Sequence, residues 1–393
     1  MRAMFKELNP PSRVLMGPGP SDVHPRVLKA MATPLIGHLD PSFLQIMNET
    51  MELMRTVFET KNELTLAMSG TGSSGMETVF VNLLEPGDKI VIGVNGLFGE
   101  RMVDVAERCG AEVIRIEAPW GEVIQPEQVE EALQGHARVK AVAVVHAETS
   151  TGALQPLAEI SQLVHAHEAL LIVDAVTSLG GVQIGIDENE VDACYSGTQK
   201  CISAPPGLSP VTFSKRAAES MAKRKSKVQS WYLDLSMIQN YWGQERFYHH
   251  TAPISMNYAL REALRIVVEE GLENTWERHW KLGRALQSGL EGMGLSLHVA
   301  ENIRLPQLTS VYIPDGVEDV SVRKQLLEQY GIEIGGGLGA LKGKVWRVGL
   351  MGFSCQPRNV LLFLAALEEV LAQQGADVRR EEGRAIAAEA MQK

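Results

Sequence analysis

Short apolar runs that alternate with helix-like segments constrain the fold of this chain more than any other feature. Helical periodicity separates several of the runs, as at residues 101–109 and 126–133. Runs that are apolar on both faces are typical of parallel strands buried between layers of helices. We therefore predict an α/β fold with a large, mostly parallel sheet covered by helices. The runs lie at residues 64–68, 90–94, 113–116, 141–145, 170–173, 191–195 and 210–213.

The last third of the chain predicts a second, smaller unit. A chain of 393 residues is too long for a single ordinary domain. Long helical patterns there are followed by isolated strand-like segments and further helices, a mixture typical of α+β structure. We predict an N-terminal arm at residues 1–20, a large domain at 21–270 and a small C-terminal domain at 271–393. The charged, alanine-rich tail after Gly375 predicts a surface helix or a loose end.

Charge and hydropathy exclude several classes of partner. The net charge of −11 disfavours nucleic acid and anionic membranes, because both select basic surfaces. The N-terminus has no signal-peptide pattern, and no apolar stretch is long enough to span a bilayer. The four cysteines are scattered and form no CxxC pair. We expect a cytoplasmic protein that acts on small molecules.

Adjacent His249 and His250 suggest a metal site at first sight. Neighbouring side chains on an extended segment point to opposite faces, so we expect that these two imidazoles do not share an ion. The sequence therefore predicts no metal site.

A glycine-rich loop follows the first predicted strand. Gly70, Gly72 and Gly75 match the pattern G-x-G-x-x-G, and backbone N–H groups at such a helix N-terminus can hold a phosphate. An NAD-dependent dehydrogenase would also need an acidic residue at the end of the next strand, where this chain has Asn95-Gly96. A phosphate cradle and a simple tight turn both remain open from the pattern alone.

Two further loops carry ionisable groups at the ends of predicted strands. Asp174 ends an unbroken apolar run, which places its carboxylate at the edge of the sheet where ligands of α/β folds bind. A helix-capping role for Asp174 is an equal alternative. Lys200 follows a short strand in an apolar neighbourhood, where desolvation lowers the pKa of a lysine and frees its amine for Schiff-base chemistry. A phosphate cradle, an acid and a buried amine are the parts of a pyridoxal phosphate site.

Seven separated motifs together resemble the class V aminotransferases, and within that class the alanine:glyoxylate and serine:glyoxylate group. The resemblance covers residues 14–371 in order and spacing. It implies the fold-type I architecture of pyridoxal phosphate-dependent transferases, a homodimer with sites near the subunit interface, and transfer of an amino group from alanine or serine to glyoxylate. The motifs are residues 17–21 (GPGPS), 69–72 (SGTG), 148–152 (ETSTG), 173–174 (VD), 197–200 (GTQK), 248–251 (YHHT) and 344–349 (KVWRVG).

The resemblance also implies a role for each motif residue. Lys200 would form the Schiff base and shuttle the proton, Asp174 would pair with the pyridinium nitrogen, and Phe98 would stack on the ring. Arg347 would clamp the substrate carboxylate, a task for which lysine is a poor replacement. The remaining cofactor contacts would come from Thr71, Gly72, Ser73, Gln199 and Thr149, with Tyr248 and Thr251 supplied by the other subunit.

Two related activities compete with this interpretation. Ureidoglycine:glyoxylate aminotransferases are similar around residues 48–51 and 197–200, but have an asparagine where this chain has Trp231, which favours small donors here. A cysteine desulfurase needs a mobile cysteine upstream of the substrate-binding arginine, whereas the nearby Cys355 lies downstream of Arg347. A non-enzymatic role would not need Lys200, Asp174 and Arg347 together.

Overall fold

The computed structural model describes residues 6–243 and 245–392. Its strands are β1 Val14–Leu15, β2 Leu64–Ser69, β3 Lys89–Val94, β4 Glu112–Glu117, β5 Val139–Val145, β6 Ala147–Glu148, β7 Ala153–Leu154, β8 Leu170–Asp174, β9 Ala193–Tyr195, β10 Leu208–Phe213, β11 Leu308–Tyr312, β12 Ile332–Glu333, β13 Gly335–Gly336 and β14 Val345–Gly349. A seven-stranded sheet forms the centre of the described structure, in the order β2-β10-β9-β8-β5-β3-β4. Within this sheet neighbouring strands are parallel from β9 through to β4, and β10 runs antiparallel to both of its neighbours.

Helices flank the sheets, and their start signals are local. Proline occupies the first position of four helices, where its missing N–H costs nothing, as Pro25, Pro41, Pro126 and Pro357. Asp40 accepts a capping hydrogen bond from Ser42 N at α2. The helices are α1 Pro25–Met31, α2 Pro41–Phe58, α3 Gly72–Leu83, α4 Leu97–Arg108, α5 Pro126–Gly135, α6 Ala158–Ala166, α7 Lys215–Ala222, α8 Leu235–Trp242, α9 Ile254–Glu270, α10 Leu272–Gly292, α11 Asp319–Tyr330, α12 Pro357–Gln373 and α13 Glu382–Ala390.

The buried apolar residues form two large separate clusters. One spans Val27 to Val267 and packs the seven-stranded sheet against its helices. The other joins residues from Leu282 onward to Met16 of the N-terminal segment, around the three-stranded sheet β11-β14-β13. The domain boundaries at residues 20 and 270 stay a prediction, which the two clusters support. Burial of Met16 shows that part of the expected extended arm packs into the C-terminal cluster.

The predicted α/β architecture is confirmed. Each apolar run became a strand of the central sheet, usually longer by one or two residues at an end. The tail after Gly375 contains α13, which packs Ala387 into the C-terminal cluster. No helix of residues 6–243 and 245–392 is long and apolar enough to cross a membrane.

Candidate active site

The carboxyl ends of the parallel strands meet at one edge of the central sheet. Asp174 is the last residue of β8, and the loops after β2, β3 and β9 leave the sheet at the same edge. Ligands of open α/β sheets bind at this edge. A cavity of about 170 Å³ lies there, lined by Thr71, Gly72, Ser73, Met76, Phe98, Arg101, Asp174, Val176, Gln199 and Lys200.

The glycine-rich loop connects β2 to α3 and forms one wall of the cavity. Gly70 adopts a positive φ of 141°, and its N–H donates to Gly207 O at 3.0 Å. Gly75 has no room for a side chain, because a Cβ atom would lie 2.0 Å from Ser209 Oγ. Thr71 is the N-cap of α3 but makes no side-chain capping bond. The first N–H groups of α3 therefore remain available to an anion in the cavity.

Lys200 is buried at the end of a turn after β9, with 8% of its surface exposed. Its Nζ donates to Pro18 O, and Gly19 permits this approach because a Cβ there would lie 2.6 Å from Nζ. Ser21 fastens the same turn by donating from Oγ to Lys200 O at 2.7 Å. Burial, and secondarily the charge of Arg347, lower the pKa of Lys200 to about 8. The N-terminal segment therefore presents the amine to the cavity.

Asp174 supplies the only carboxylate among the residues that line the described cavity. Its Oδ1 accepts from Val176 N at 2.9 Å, whereas its buried Oδ2 has no hydrogen-bond partner. The Tyr195 hydroxyl is near enough to lower the pKa of Asp174 but is not in hydrogen-bonding geometry. Burial dominates and raises the pKa of Asp174 to about 6. An unpaired buried carboxylate is costly unless a donor from a ligand reaches it.

Arg347 lies in the middle of β14, in the C-terminal sheet, and is only 6% exposed. Its Nε donates to Gly336 O at 2.8 Å and its Nη1 to Thr149 O at 3.0 Å. It makes no ion pair with any residue in the described ranges, so its guanidinium charge remains for a ligand. Burial lowers the pKa of Arg347 to about 10, which leaves it protonated near neutral pH. Thr149 joins this region to the turn after β8 through a 2.5 Å hydrogen bond between its hydroxyl and that of Thr177.

The structure brings most of the predicted site residues together in a single chain. Tyr248 and Thr251 are the exceptions, since neither lines the cavity nor bonds to Thr149 or Arg347 beside it. They belong to what we call the outer segment, residues 228–243 and 245–251, in which Tyr248 is 59% exposed. Their hydroxyl groups lie 3.5 Å apart. The site residues within one chain are Lys200, Asp174, Thr71, Gly72, Ser73, Phe98 and Gln199 in the cavity, with Thr149 and Arg347 joined to each other beside it.

Several residues of the site had no role in the sequence analysis. Arg101 lines the cavity, and its guanidinium carbon lies 5.0 Å from the centre of the Phe98 ring. Its position, one turn after Phe98 on α4, was the available signal. Glu148 belongs to a recognised motif, yet nothing in the sequence shows its contact with α4. The expectation that the side chains of His249 and His250 point to opposite faces was wrong, because their Nδ1 atoms lie 2.8 Å apart.

These features fit pyridoxal phosphate. The unpaired Asp174 Oδ2 suits a protonated ring nitrogen, and the uncapped N-terminus of α3 suits a phosphate. The buried Oε1 of Gln199 also lacks a partner. Apolar Phe98 and Val176 line the same cavity as the Lys200 amine.

Comparisons with known proteins show the family of the chain. The model of the class-V aminotransferase family matches residues 15–353. Alanine–glyoxylate aminotransferase from Callithrix jacchus is 42% identical, over 94% of this chain and 90% of that protein. A crystal structure of an alanine–glyoxylate aminotransferase from Nostoc sp. superposes with a TM-score of 0.92 at 53% identity, covering 94% and 98% of the two chains. The crystal structure of ureidoglycine–glyoxylate aminotransferase from Bacillus subtilis superposes with a TM-score of 0.96 at 43% sequence identity, covering 99% of this chain and 100% of that one.

The chain belongs to the class-V aminotransferases. The predicted resemblance is therefore confirmed, and the dehydrogenase alternative is excluded at the level of the family.

Proposed function

We propose that this chain is a pyridoxal phosphate-dependent aminotransferase that moves an amino group from alanine or serine to glyoxylate. One observation carries the proposal above all: the buried amine of Lys200 and the unpaired carboxylate of Asp174 line one cavity, with Arg347 nearby. Both alanine–glyoxylate and ureidoglycine–glyoxylate enzymes are similar to the chain, which supports glyoxylate as the acceptor. The products would be glycine and pyruvate or hydroxypyruvate.

Residues of the large sheet would hold the cofactor. Thr71, Gly72 and Ser73 would bind its phosphate through the N-terminus of α3, with Gln199 beside them. Asp174 Oδ2 would accept a hydrogen bond from the ring nitrogen and keep that nitrogen protonated. The Thr149 hydroxyl would bond the phenolic oxygen, and Phe98 would pack against the ring.

Lys200 would carry out the proton transfers of the reaction. Bound pyridoxal phosphate supplies an electron sink that makes the α-hydrogen of an amino acid acidic. Lys200 Nζ takes that proton in its neutral form, which its lowered pKa makes accessible near pH 8. The same amine returns the proton, and Pro18 O orients it in the absence of substrate.

Arg347 would bind the carboxylate shared by every substrate of the reaction. The contacts of its Nε and Nη1 with Gly336 O and Thr149 O hold the guanidinium plane fixed. A guanidinium held in this way loses little entropy when it donates two parallel hydrogen bonds to a carboxylate. Its burial excludes water and strengthens the contact.

Ureidoglycine is a second candidate donor, favoured by the TM-score of 0.96 with the Bacillus subtilis enzyme. Against it stands Trp231, whose ring offers no acceptor for a ureido group. Trp231 is 63% exposed and stacks on His249 with ring centres 4.5 Å apart. It does not line the cavity of its own chain, so it would act on the donor only from a second copy.

A homodimer would complete the site. The outer segment exposes four aromatic side chains, and large exposed apolar surface marks interaction sites: Trp231, Tyr232, Phe247 and Tyr248. A second copy would bury this surface and bring Tyr248 and Thr251 to the phosphate of its partner. We place this dimer in the cytoplasm.

A donor panel tests the proposal. Enzyme reconstituted with pyridoxal phosphate is assayed with glyoxylate and alanine, serine or ureidoglycine, and glycine is measured. We expect the highest kcat/KM with alanine or serine. The highest value with ureidoglycine would select the second candidate, and no glycine from any donor would contradict the proposed function.

A further inference from the structure

The N-terminus of α4 is capped from a distant part of the chain. Its N-cap residue, Gly96, has no side chain to accept the first N–H groups. Glu148 Oε2 accepts from Phe98 N at 3.2 Å, and Ser150 Oγ accepts from Leu97 N at 2.9 Å. These acceptors lie about fifty residues further along the chain: Glu148 is the last residue of β6, and Ser150 lies in the turn that follows. Two orphan donors of α4 are thus satisfied across the sheet edge.

Glu148 and Ser150 form one rigid unit. Glu148 Oε1 accepts from both Ser150 N at 2.9 Å and Ser150 Oγ at 2.5 Å. Gly96 allows the unit to approach, because a Cβ atom there would lie 2.4 Å from Glu148 Cδ and 2.6 Å from Ser150 Oγ. Glu148 itself has no exposed surface. A carboxylate this deeply buried is costly, and ordinary neutral acceptors could cap a helix without that cost.

The segments that hydrogen-bond to Glu148 and Ser150 border the cofactor cavity. Phe98 in the first turn of α4 and Arg101 one turn later line the cavity. Thr149, between the two capping residues, contacts Arg347 through its carbonyl oxygen. Glu148 also raises the pKa of Arg347 through its negative charge, although burial of Arg347 has the larger, opposite effect. The turn at 148–150 therefore contacts both the ring side and the carboxylate side of the site.

We propose that Glu148, together with Ser150, is a positioning residue that holds Phe98 of α4 against the cofactor ring. This inference rests on the proposed cofactor site. Neither side chain touches substrate or cofactor; both act through the backbone of Leu97 and Phe98. Removing the carboxylate would let the first turn of α4 shift and weaken the contact between Phe98 and the ring.

A double-mutant cycle on pyridoxal phosphate affinity tests the proposal. Cofactor-free wild-type, Glu148→Gln, Phe98→Leu and Glu148→Gln/Phe98→Leu proteins are titrated, and the visible absorbance gives the Kd. We expect each single change to raise the Kd by about tenfold. Glu148→Gln weakens the hydrogen bond that the charged carboxylate accepts from Phe98 N, and Phe98→Leu removes the ring that this bond positions. The double variant should also stay near tenfold, because both changes break one linkage.

Additive behaviour, with a Kd raised about a hundredfold in the double variant, would overturn the proposal. So would a Glu148→Gln protein that binds the cofactor as tightly as wild type. A wild-type chain that takes up no cofactor would overturn the proposed function and this inference together. A wild-type chain that binds cofactor, with either of the two results above, would overturn only this inference. If Glu148→Gln does not fold, Ser150→Ala replaces it in the same cycle, with the same two outcomes.

Glu318→Gln provides a matched control. Glu318 caps α11 in the C-terminal unit by accepting from Val320 N at 3.3 Å and Ser321 N at 2.6 Å. The substitution removes a helix-capping carboxylate that is exposed and lies away from the cavity. We expect Glu318→Gln to leave the cofactor Kd unchanged in either Phe98 background. A rise in Kd equal to that of Glu148→Gln would show a general loss of stability and contradict a positioning role.

Discussion

The inner site and the outer segment differ in how completely one chain builds them. The inner site consists of Lys200, Asp174 and Arg347, which are almost fully buried. Backbone carbonyl groups of the same chain hold two of them, since Lys200 donates to Pro18 O and Arg347 to Thr149 O. Tyr248 is exposed, and its hydroxyl meets only Thr251 of the same outer segment. Both regions carry motifs of the same family. The difference teaches that the proposed proton chemistry needs only the residues of one chain, whereas the proposed phosphate contacts at the rim would need a second.

Changes in the inner site should therefore have large effects, beginning with Lys200. We expect Lys200→Ala to lose the visible absorbance of lysine-bound cofactor and to lower kcat by about 10³-fold or more, since both covalent attachment and general base are removed. Absorbance spectra and glycine production are the measurements. Lys215→Ala, an exposed lysine at the start of α7, is the control. Turnover of Lys200→Ala at the wild-type rate would remove Lys200 from the mechanism.

Asp174→Asn should separate function from stability. Without a charged partner the ring nitrogen loses its proton more easily. We therefore expect kcat to fall by about a hundredfold, which is the lower end of the effect of losing a positioned acid or base. The cofactor-free variant should melt roughly 2–4 °C higher at pH 7.5, because an unpaired buried charge has been removed. Steady-state assays and calorimetry measure the two effects. A cofactor-free variant that melts lower than wild type would contradict our description of the Asp174 environment.

The stability gain of Asp174→Asn should also depend on pH. Folding raises the pKa of Asp174 from 3.8 to about 6, so the folded chain binds the proton more tightly than the unfolded chain. The wild-type carboxyl therefore costs stability progressively as pH rises from about 4 to 6, and fully above that. We expect the melting difference to be small at pH 4 and to reach a plateau above pH 6. A difference that is constant from pH 4 to 8 would assign it to something other than the charge.

Arg347→Lys should mainly raise KM. A single ammonium cannot replace the bidentate fork, and loss of one charge-assisted hydrogen bond corresponds to about a tenfold to hundredfold rise in KM. The effect should appear for donor and acceptor alike, because both carry the carboxylate. Arg265→Lys, in a surface ion pair with Glu269, is the control. An unchanged KM for both substrates would place the carboxylate elsewhere.

The outer segment should give the smallest effect. We expect Tyr248→Phe to weaken cofactor affinity about threefold to tenfold, the loss of one hydrogen bond to a charged phosphate. Tyr312→Phe is matched, since Tyr312 is another exposed tyrosine whose hydroxyl bonds a neighbour, His298 Nδ1 at 2.8 Å. Cofactor titrations of both variants check the difference. Equal Kd values for both variants and wild type would remove Tyr248 from the phosphate site.

A hybrid of Lys200→Ala and Tyr248→Phe chains tests whether the outer segment acts on a second copy. If Tyr248 serves the partner's cofactor, the site built on the Tyr248→Phe chain receives an intact Tyr248, and it should bind cofactor like wild type. If Tyr248 serves its own chain, that site keeps the weakened Kd. The second result would contradict the proposed division between inner and outer regions.

The inner site was largely predictable because its residues follow strand ends. Asp174 ends an apolar run and Lys200 follows one, and the carboxyl ends of parallel strands necessarily meet at one edge. Glycines at 70, 72 and 75 supplied the turn and the close packing that the loop requires. Local pattern and sheet topology therefore indicated the edge of the sheet where the cavity lies, whereas the expected roles of Phe98, Thr149 and Arg347 came from the family resemblance.

The remaining features depend on contacts that no local pattern records. The capping of α4 by Glu148 joins residues fifty positions apart, and the antiparallel direction of β10 depends on how the chain returns to the sheet. His249 and His250 are in contact, although the sequence interpretation expected their side chains on opposite faces of an extended segment. Such long-range arrangements are settled by tertiary packing, and propensity alone does not determine them.

Covalent trapping tests the central claim most directly. The wild-type protein is saturated with pyridoxal phosphate, reduced with borohydride, digested and analysed by peptide mass spectrometry. We predict one modified residue, Lys200, and no modification there when excess alanine first removes the aldehyde form of the cofactor. Modification of a different lysine, or of Lys200 to the same extent with and without alanine, would contradict the assignment.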